Sequence, residues 1–570
     1  MEQLATSTAF TCNGRAVEVA APADESLLYV LRERLGVLSV KDGCAPQGQC
    51  GCCTVLVDGE PRVACVTPIS RVAGRAVTTV EGLEPGARDR LAASFVATGG
   101  SQCGFCTPGI VMRASGGRVR DLDRALAAHL CRCTGWITVY DALRAAADLS
   151  SAPGLVRDLD AAARRAELEG GVAQIVRADV PLGGAAFADD TAPRDALVAV
   201  PLPPGSGADS VEAAGMDWVI GATLAEARLS AGKVQGRRTT AEERPPLFDA
   251  RGEVPSGGVR LATSWVEPAY LEPDASWCAP GAPPASPYVN GGAFGGKIES
   301  AAPRAAEELA SRLGSAVRVV YSREDVVRLG PKRPPIAATA SVVDGRVEID
   351  GVVARGAAPE FTDAWPTPYS CPVITRWREA DVVGPPVGRT LRAVGLAEQA
   401  VLVEGALEAA GLDRSALTGD PTLLDTCVAT PSGASAGARV HLDVVTGALE
   451  RIEVRVAAGD PLDETVLRSY AIGAAHMALG WVLAESLTVD PVTGEVHDLT
   501  IRSFGIIRPK DMPPVDIVLI ADDREPLAGS SDAVFAAVAA ATWNSLARVE
   551  GTRPDTFPAR ETRASRLLRR

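Results

Sequence analysis

The chain has 570 residues, more than one hydrophobic core usually organises, so roughly three or four domains are expected. With 46% hydrophobic and 22% charged residues it is globular, which excludes a disordered or fibrous chain. A formal charge of -14 argues against the clustered Lys and Arg that nucleic acid requires, leaving small molecules and protein partners.

The opening residues, MEQLATSTAFTCNGRAVEVA, show neither a basic start before an apolar block nor a cleavage site. The longest apolar run, around Val534 to Thr542, is too short to span a bilayer. A cytoplasmic protein without membrane association is therefore expected. The sequence holds 13 Cys, and in that compartment metal ligation is a better first reading than a disulfide framework.

Residues 8 to 82 alternate like strands, as in Arg15 to Val19 and Thr54 to Val57, between the turn signals Asn13-Gly14 and Asp58-Gly59. One helix interrupts them, with Ser26 as N-cap, Leu27, Leu28, Val30, Leu31 and Leu35 on its apolar face, and Gly36 as its end. This predicts a small β-grasp domain. From Asp89 to Ala147 the periodicity turns helical. The charged, Ala-rich stretch from Ser150 to Gly171 reads as a connector. Beyond it, strand-like runs (Ala196 to Val200, Val317 to Val320, Val440 to Val444, Ile452 to Val456, Val515 to Ile520) alternate with Ala-rich helices (Ala301 to Leu313, Leu396 to Ala410, Ala533 to Leu546). The expected class is α+β, with mixed sheets.

Eight Cys fall into two groups before Ser150. The first, DGCAPQGQCGCCTVLVDGEPRVAC, offers Cys44, Cys50, Cys53 and Cys65, with Gly43, Gly48 and Gly51 placed to turn backbone amides toward sulfur. Its spacing is one residue longer than the plant-type ferredoxin loop. Cys52 lies between two of these ligands as a bystander, or as a rival to Cys53. A structural zinc site is the competing chemistry for this group, and also for the second, in which Cys103-x2-Cys106 pairs with Cys131-x-Cys133.

Together the groups are more specific. QCGFCTPG and CRCTG, after a loop ending CTVLVDG, resemble the iron–sulfur part of the xanthine dehydrogenase and aldehyde oxidoreductase family of molybdenum hydroxylases, over nearly all of residues 8 to 145. The resemblance implies two [2Fe-2S] clusters, one on each group of four Cys, and a Gln102 that hydrogen-bonds the pterin of a molybdenum–molybdopterin cofactor. The second cluster would take electrons from that cofactor and the ferredoxin-like cluster would pass them outward. The span from Cys106 to Cys131 is shorter than the family's.

Downstream the likeness is thinner. GGAFGGK is similar to the family's cofactor-facing loop, which implies cofactor contacts from Gly292, Phe294 and Gly295. Its rival is a phosphate-binding loop, against which Ile298 stands where Ser or Thr must hold magnesium. LEPD carries Asp274 where the family has His. RAVGLAEQA resembles the Arg-containing loop near the substrate, and REP the stretch that supplies the essential Glu, which implies catalytic roles for Arg392 and Glu525. Each can equally be a surface charge. A carboxylate base beside the metal would take the proton of a metal-bound hydroxyl. His441 and His476 read as packed or capping residues. A long family segment with a Gly-Gln-Gly loop is missing near Asp425 to Pro431, and Ala521 to Arg524 replaces a Gly-rich lead-in, so a shrunken, cofactor-free region is an alternative.

The expected organisation is a ferredoxin-like domain (1–82), a helical-bundle cluster domain (83–149), a linker (150–171), an α/β hammerhead-type region (172–275) and a reduced molybdopterin-binding-type region (276–570). The resemblance implies an iron–sulfur oxidoreductase acting on a small aldehyde or heterocycle. No flavin (FAD) domain is visible, so electrons would leave to an external acceptor protein or flavoprotein. The alternatives are an electron-transfer or scaffold subunit, or a molybdenum-free redox enzyme; self-association as a homo-oligomer stays open.

Overall fold

The structure is a computed structural model that describes residues 6–117, 121–148, 157–203, 205–232, 248, 254, 256–358, 367–389 and 391–569. Its N-terminal sheet has five strands in the order Arg15–Ala21, Thr6–Cys12, Ala76–Thr78, Thr54–Val57, Glu60–Val63. Asn13 and Gly14 close its first hairpin with φ of 50° and 77°, and Asp58 and Gly59 close another with 52° and 79°. These are the double left-handed turns that two-residue hairpins demand. Ser26 caps the expected helix by accepting from the Tyr29 amide, and the residues Val30–Arg34 widen into a π-turn before Gly36. Leu27, Leu28, Val30 and Leu31 bury against Phe10, Val19, Val55 and Val57.

Four helices follow, Pro85–Thr98, Thr107–Ser115, Leu122–Leu126 and Ile137–Ala147. The first and last pack together through Phe95, Val139 and Ala142, while Thr107–Ser115 lies on the strand Thr54–Val57.

The expected connector is only partly one. Residues 149–156 lie outside the described part, but Leu159–Gly170 is a helix, capped by Asp158 and ended by Gly171 at φ 69°. Its Ala162 and Ala166 pack on Val466, and its Arg165 is fully buried. The charges that suggested a solvated linker are internal: Arg165 pairs with Glu169, and donates to the carbonyls of Leu527 (2.8 Å) and Ala458 (3.4 Å).

The expected boundary at residue 275 does not divide the fold. One five-stranded sheet joins Leu197–Pro201, Val211–Ala213 and Met216–Gly221 to Ala275–Cys278 and Val317–Val320. A second joins Val259–Thr263 to Ile336–Val343, Arg346–Ala354, Val373–Ala380 and Thr556–Phe557. A four-stranded sheet, Thr426–Ala429, Ser435–Leu442, Leu449–Ala457 and Val515–Leu519, packs against helices Val394–Ala409, Glu464–Leu483 and Ser530–Glu550. Of these helices Glu464–Leu483 was not anticipated, because it is apolar on all sides and so lacks the stripe that marks a surface helix. It is also long and apolar enough to cross a membrane, but 89% of its apolar window is buried inside the protein, as in a core helix.

Candidate functional site

Both Cys groups lie at the junction between the first 148 residues and the rest of the chain. One continuous core contains Cys44, Cys50, Cys106, Cys131 and Cys133 together with Trp265, Leu271, Val327 and Leu487. The first loop is clamped from the far side: Arg323, 1% exposed, donates to the Gly43 carbonyl (2.9 and 3.1 Å), and Arg502 donates to the Gln49 carbonyl (2.9 Å). Arg132, between two Cys of the second group, is buried in a bidentate pair with Glu485, both contacts at 2.6 Å.

In the first group the amides of Gln49 and Cys50 donate to Cys44 Sγ (3.4 and 3.3 Å), and the Cys65 amide donates to Cys53 Sγ (3.4 Å). The Cys44 thiol is held well below its ordinary value by hydrogen bonds from Cys50 and Cys65. In the second group Cys103 and Cys133 Sγ lie 3.6 Å apart, and Cys131, bonded by the Cys106 thiol and the Thr134 hydroxyl, is held down to about 7. Such amide and hydroxyl donors stabilise a thiolate. Cys52 is buried with its thiol toward the Cys50 carbonyl (3.9 Å). The groups adjoin, since the Leu130 amide donates to the Cys50 carbonyl (2.9 Å) and a Cβ on Gly51 would fall 2.5 Å from the His129 ring. Burial pushes His129 down to about 4, so it is neutral there.

Among the described residues no three His, Cys, Asp or Glu converge on a point that a single metal ion could occupy. A tetrahedral zinc site needs such convergence. Paired thiols fit a two-iron cluster, which takes two from each side.

The glycine loop of GGAFGGK caps the second group. Gly291, Gly292 and Gly295 have φ of 72°, 78° and 83°, and Asn290 and Phe294 are also left-handed at 61° and 52°. A Cβ on Gly292 would lie 2.7 Å from Cys103 Cβ and 2.9 Å from its sulfur, so only a bare backbone fits. Asn290 fastens the loop, donating to the carbonyls of Gln102 (3.3 Å) and Cys103 (3.2 Å). The sequence reading missed Asn290; its position beside a Gly pair is the available signal.

The residues expected to hold molybdopterin do not offer it a site in this arrangement. The Gln102 amide nitrogen already donates to the Cys133 carbonyl (3.0 Å) and the Ser469 hydroxyl (2.9 Å). Gly292 rests on Cys103, and half-buried Phe294 packs into three apolar cores. Glu525, expected to be the catalytic base, is exposed in a turn set by the Asp522–Arg524 pair and by Gly459, which backs onto the Glu525 carbonyl. The helix Leu159–Gly170 meets both stretches: Arg165 bonds Leu527, and the Ala166 carbonyl accepts from Gln174 (2.6 Å), which packs on Gly291. The backbone of Arg392 is in a short helical turn, and its side chain lies outside the described part. His441 bonds Glu453 (2.9 Å), and buried His476 faces the Ile507 carbonyl (3.0 Å).

Residues 10–71 match the 2Fe-2S iron–sulfur cluster binding domain family, and residues 79–144 match the [2Fe-2S] binding domain family. The chain is thus an oxidoreductase with two [2Fe-2S] domains. It is 35% identical over 144 residues to the nicotinate dehydrogenase small FeS subunit of Eubacterium barkeri, covering 24% of this chain and 91% of that one. It is 40% identical over 148 residues to the aldehyde oxidoreductase of Megalodesulfovibrio gigas, covering 24% of this chain and 16% of that one. The solved aldehyde oxidoreductase of Desulfovibrio gigas shares the fold, with a TM-score of 0.72 at 16% identity over 97% of this chain and 99% of that one. The chain belongs to the molybdenum hydroxylase family.

Proposed function

We propose that the chain is an electron relay of a molybdenum-hydroxylase-type system, with one cluster held by Cys44, Cys50, Cys53 and Cys65 and the other by Cys103, Cys106, Cys131 and Cys133. When bound, such clusters carry single electrons. Around them this chain supplies dry walls, amide donors to sulfur and a neutral His129 between the groups. With both clusters bound, electrons from oxidation of a small aldehyde or heterocycle on a catalytic partner would enter at the second group and would leave from the first to an external acceptor protein or flavoprotein.

The observation that carries this reading is the seat of Gly292 on Cys103, which fills with backbone the place where the family resemblance implies a cofactor contact. Glu525 and Arg392 then have no part in the relay. Metal analysis tests it. Protein purified from cells that make molybdopterin should contain iron without molybdenum. Stoichiometric molybdenum would overturn the relay reading and restore Glu525 as the candidate base.

A further inference from the structure

Arg502 reaches the first Cys group from a stretch with no assigned part in the relay. Its Nε–H donates to the Gln49 carbonyl (2.9 Å) and its Nη2 to the Ala127 carbonyl (2.8 Å), so one guanidinium spans the ferredoxin-like loop and the helical domain. The Gln49 carbonyl and the Cys50 amide are two ends of the same peptide group. That amide donates to Cys44 Sγ (3.3 Å), alongside the Gln49 amide (3.4 Å). A continuous line of hydrogen bonds therefore runs from the guanidinium, through one peptide unit, to the sulfur of Cys44.

The sense of polarisation along this line is fixed. A cation donating to a peptide oxygen draws electron density toward that oxygen and leaves the N–H at the other end a stronger donor, since hydrogen bonds in series reinforce one another. A sulfur that receives a stronger N–H bond carries added negative charge at lower cost. Reduction of an iron–sulfur cluster adds such charge, and hydrogen bonds to sulfur and nearby charges help to set its potential. The guanidinium also acts through space. Partial burial draws its pKa down while charge on Cys44 and Cys50 opposes that, so it lies within the field of both thiolates.

We propose that Arg502 is a positioning residue that raises the reduction potential of the first cluster by polarising the Gln49–Cys50 peptide against Cys44 Sγ. The proposal rests on the assignment of Cys44 and Cys50 as ligands. It gives the region beyond the helical domain a share in the relay, because a residue there makes the first group easier to reduce and so favours passage of electrons toward it.

The loop is anchored without this side chain. The Arg502 amide donates to Gln49 Oε1 (3.2 Å), the Ile501 amide to Gln47 Oε1 (3.2 Å), and Gln47 Nε2 to the Leu499 carbonyl (3.0 Å). All three bonds survive removal of the guanidinium. Arg502 is exposed, so water can reach the carbonyls it would leave, and salt screens its charge.

Redox titration of the holoprotein followed by electron paramagnetic resonance tests this. Arg502→Met should keep both signals and about four irons. Its ferredoxin-type signal should need a stronger reductant, by about tenfold in the equilibrium constant for reduction, which is about 59 mV for one electron. The second signal should move less. Arg502→Gln places a neutral N–H donor where Arg has Nε, and its potential should fall between those of the wild type and Arg502→Met. The gap between wild type and Arg502→Met should narrow as salt rises, which an anchoring role alone would not produce. An unchanged ferredoxin-type potential in Arg502→Met overturns the proposal, and so does a shift of equal size in both signals. If Arg502→Met loses its iron, Arg502→Gln decides, and a wild-type potential in that variant overturns the proposal. Absence of the ferredoxin-type signal from the wild type would instead reject the ligand assignment beneath it.

Discussion

Serine at position 103 should leave reduced protein with one paramagnetic signal where the wild type has two. The Cys103 thiol, 3.6 Å from that of Cys133, is proposed to complete the ligand set of the second cluster, and a serine hydroxyl, protonated at neutral pH, is a far weaker iron ligand than the thiolate it replaces. The ferredoxin-type signal should survive, because its Cys53 and Cys65 sit in a separate core with Val55, Val57 and Ile69. The two groups do touch, through Leu130 and Cys50, which makes the outcome informative. Loss of both signals would show that the first loop depends on the second cluster for its shape. Two unchanged signals would reject Cys103 as a ligand.

Gly292→Ala should have nearly as large an effect by a different route. The new methyl would stand 2.7 Å from Cys103 Cβ and 3.5 Å from Cys133 Sγ, at a φ of 78°. The left-handed backbone alone costs an L-residue about 1–2 kcal/mol. The collision must also push either the loop or a proposed ligand aside, so the second signal should broaden or vanish on purification while the first persists. Gly281→Ala separates the two contributions. Gly281 has φ of 77° with nothing within 4 Å of a built Cβ, so it carries the same backbone strain without the collision and should keep both signals. An unaltered second signal in Gly292→Ala would show that the loop is not seated on the cluster.

Much of the fold was legible where local chemistry dictates it. Asn13-Gly14 and Asp58-Gly59 closed the expected turns because only such residues take two left-handed conformations in succession. Ser26 capped the expected helix, and Val317–Val320 formed the expected strand. The helix Leu159–Gly170 was misread because Arg165 and Glu169 look like solvated charges, yet Glu169 meets the Ser530 hydroxyl and the Ser531 amide at the start of a core helix. Residues at 165 and 530 are joined by tertiary packing that no local pattern reports.

The site divides in the same way. The grouping of the Cys was visible because they stand in close local pairs, Cys50-x2-Cys53, Cys103-x2-Cys106 and Cys131-x-Cys133. The glycine loop was recognised, but its seat was not, since contact through bare backbone leaves no side-chain signature. Glu525 kept its motif and lost its setting: the Asp522–Arg524 pair and the approach of Gly459 hold that turn outward. Gln49 and Arg502, 453 residues apart, gave no sign of contact until the fold brought them together.

The central claim is two two-iron clusters per chain, and the most direct measurement is iron, zinc and spin quantitation on one anaerobic preparation. About four irons per chain, negligible zinc and two distinct signals after full reduction are predicted. Stoichiometric zinc, or a single signal with about two irons, would contradict it.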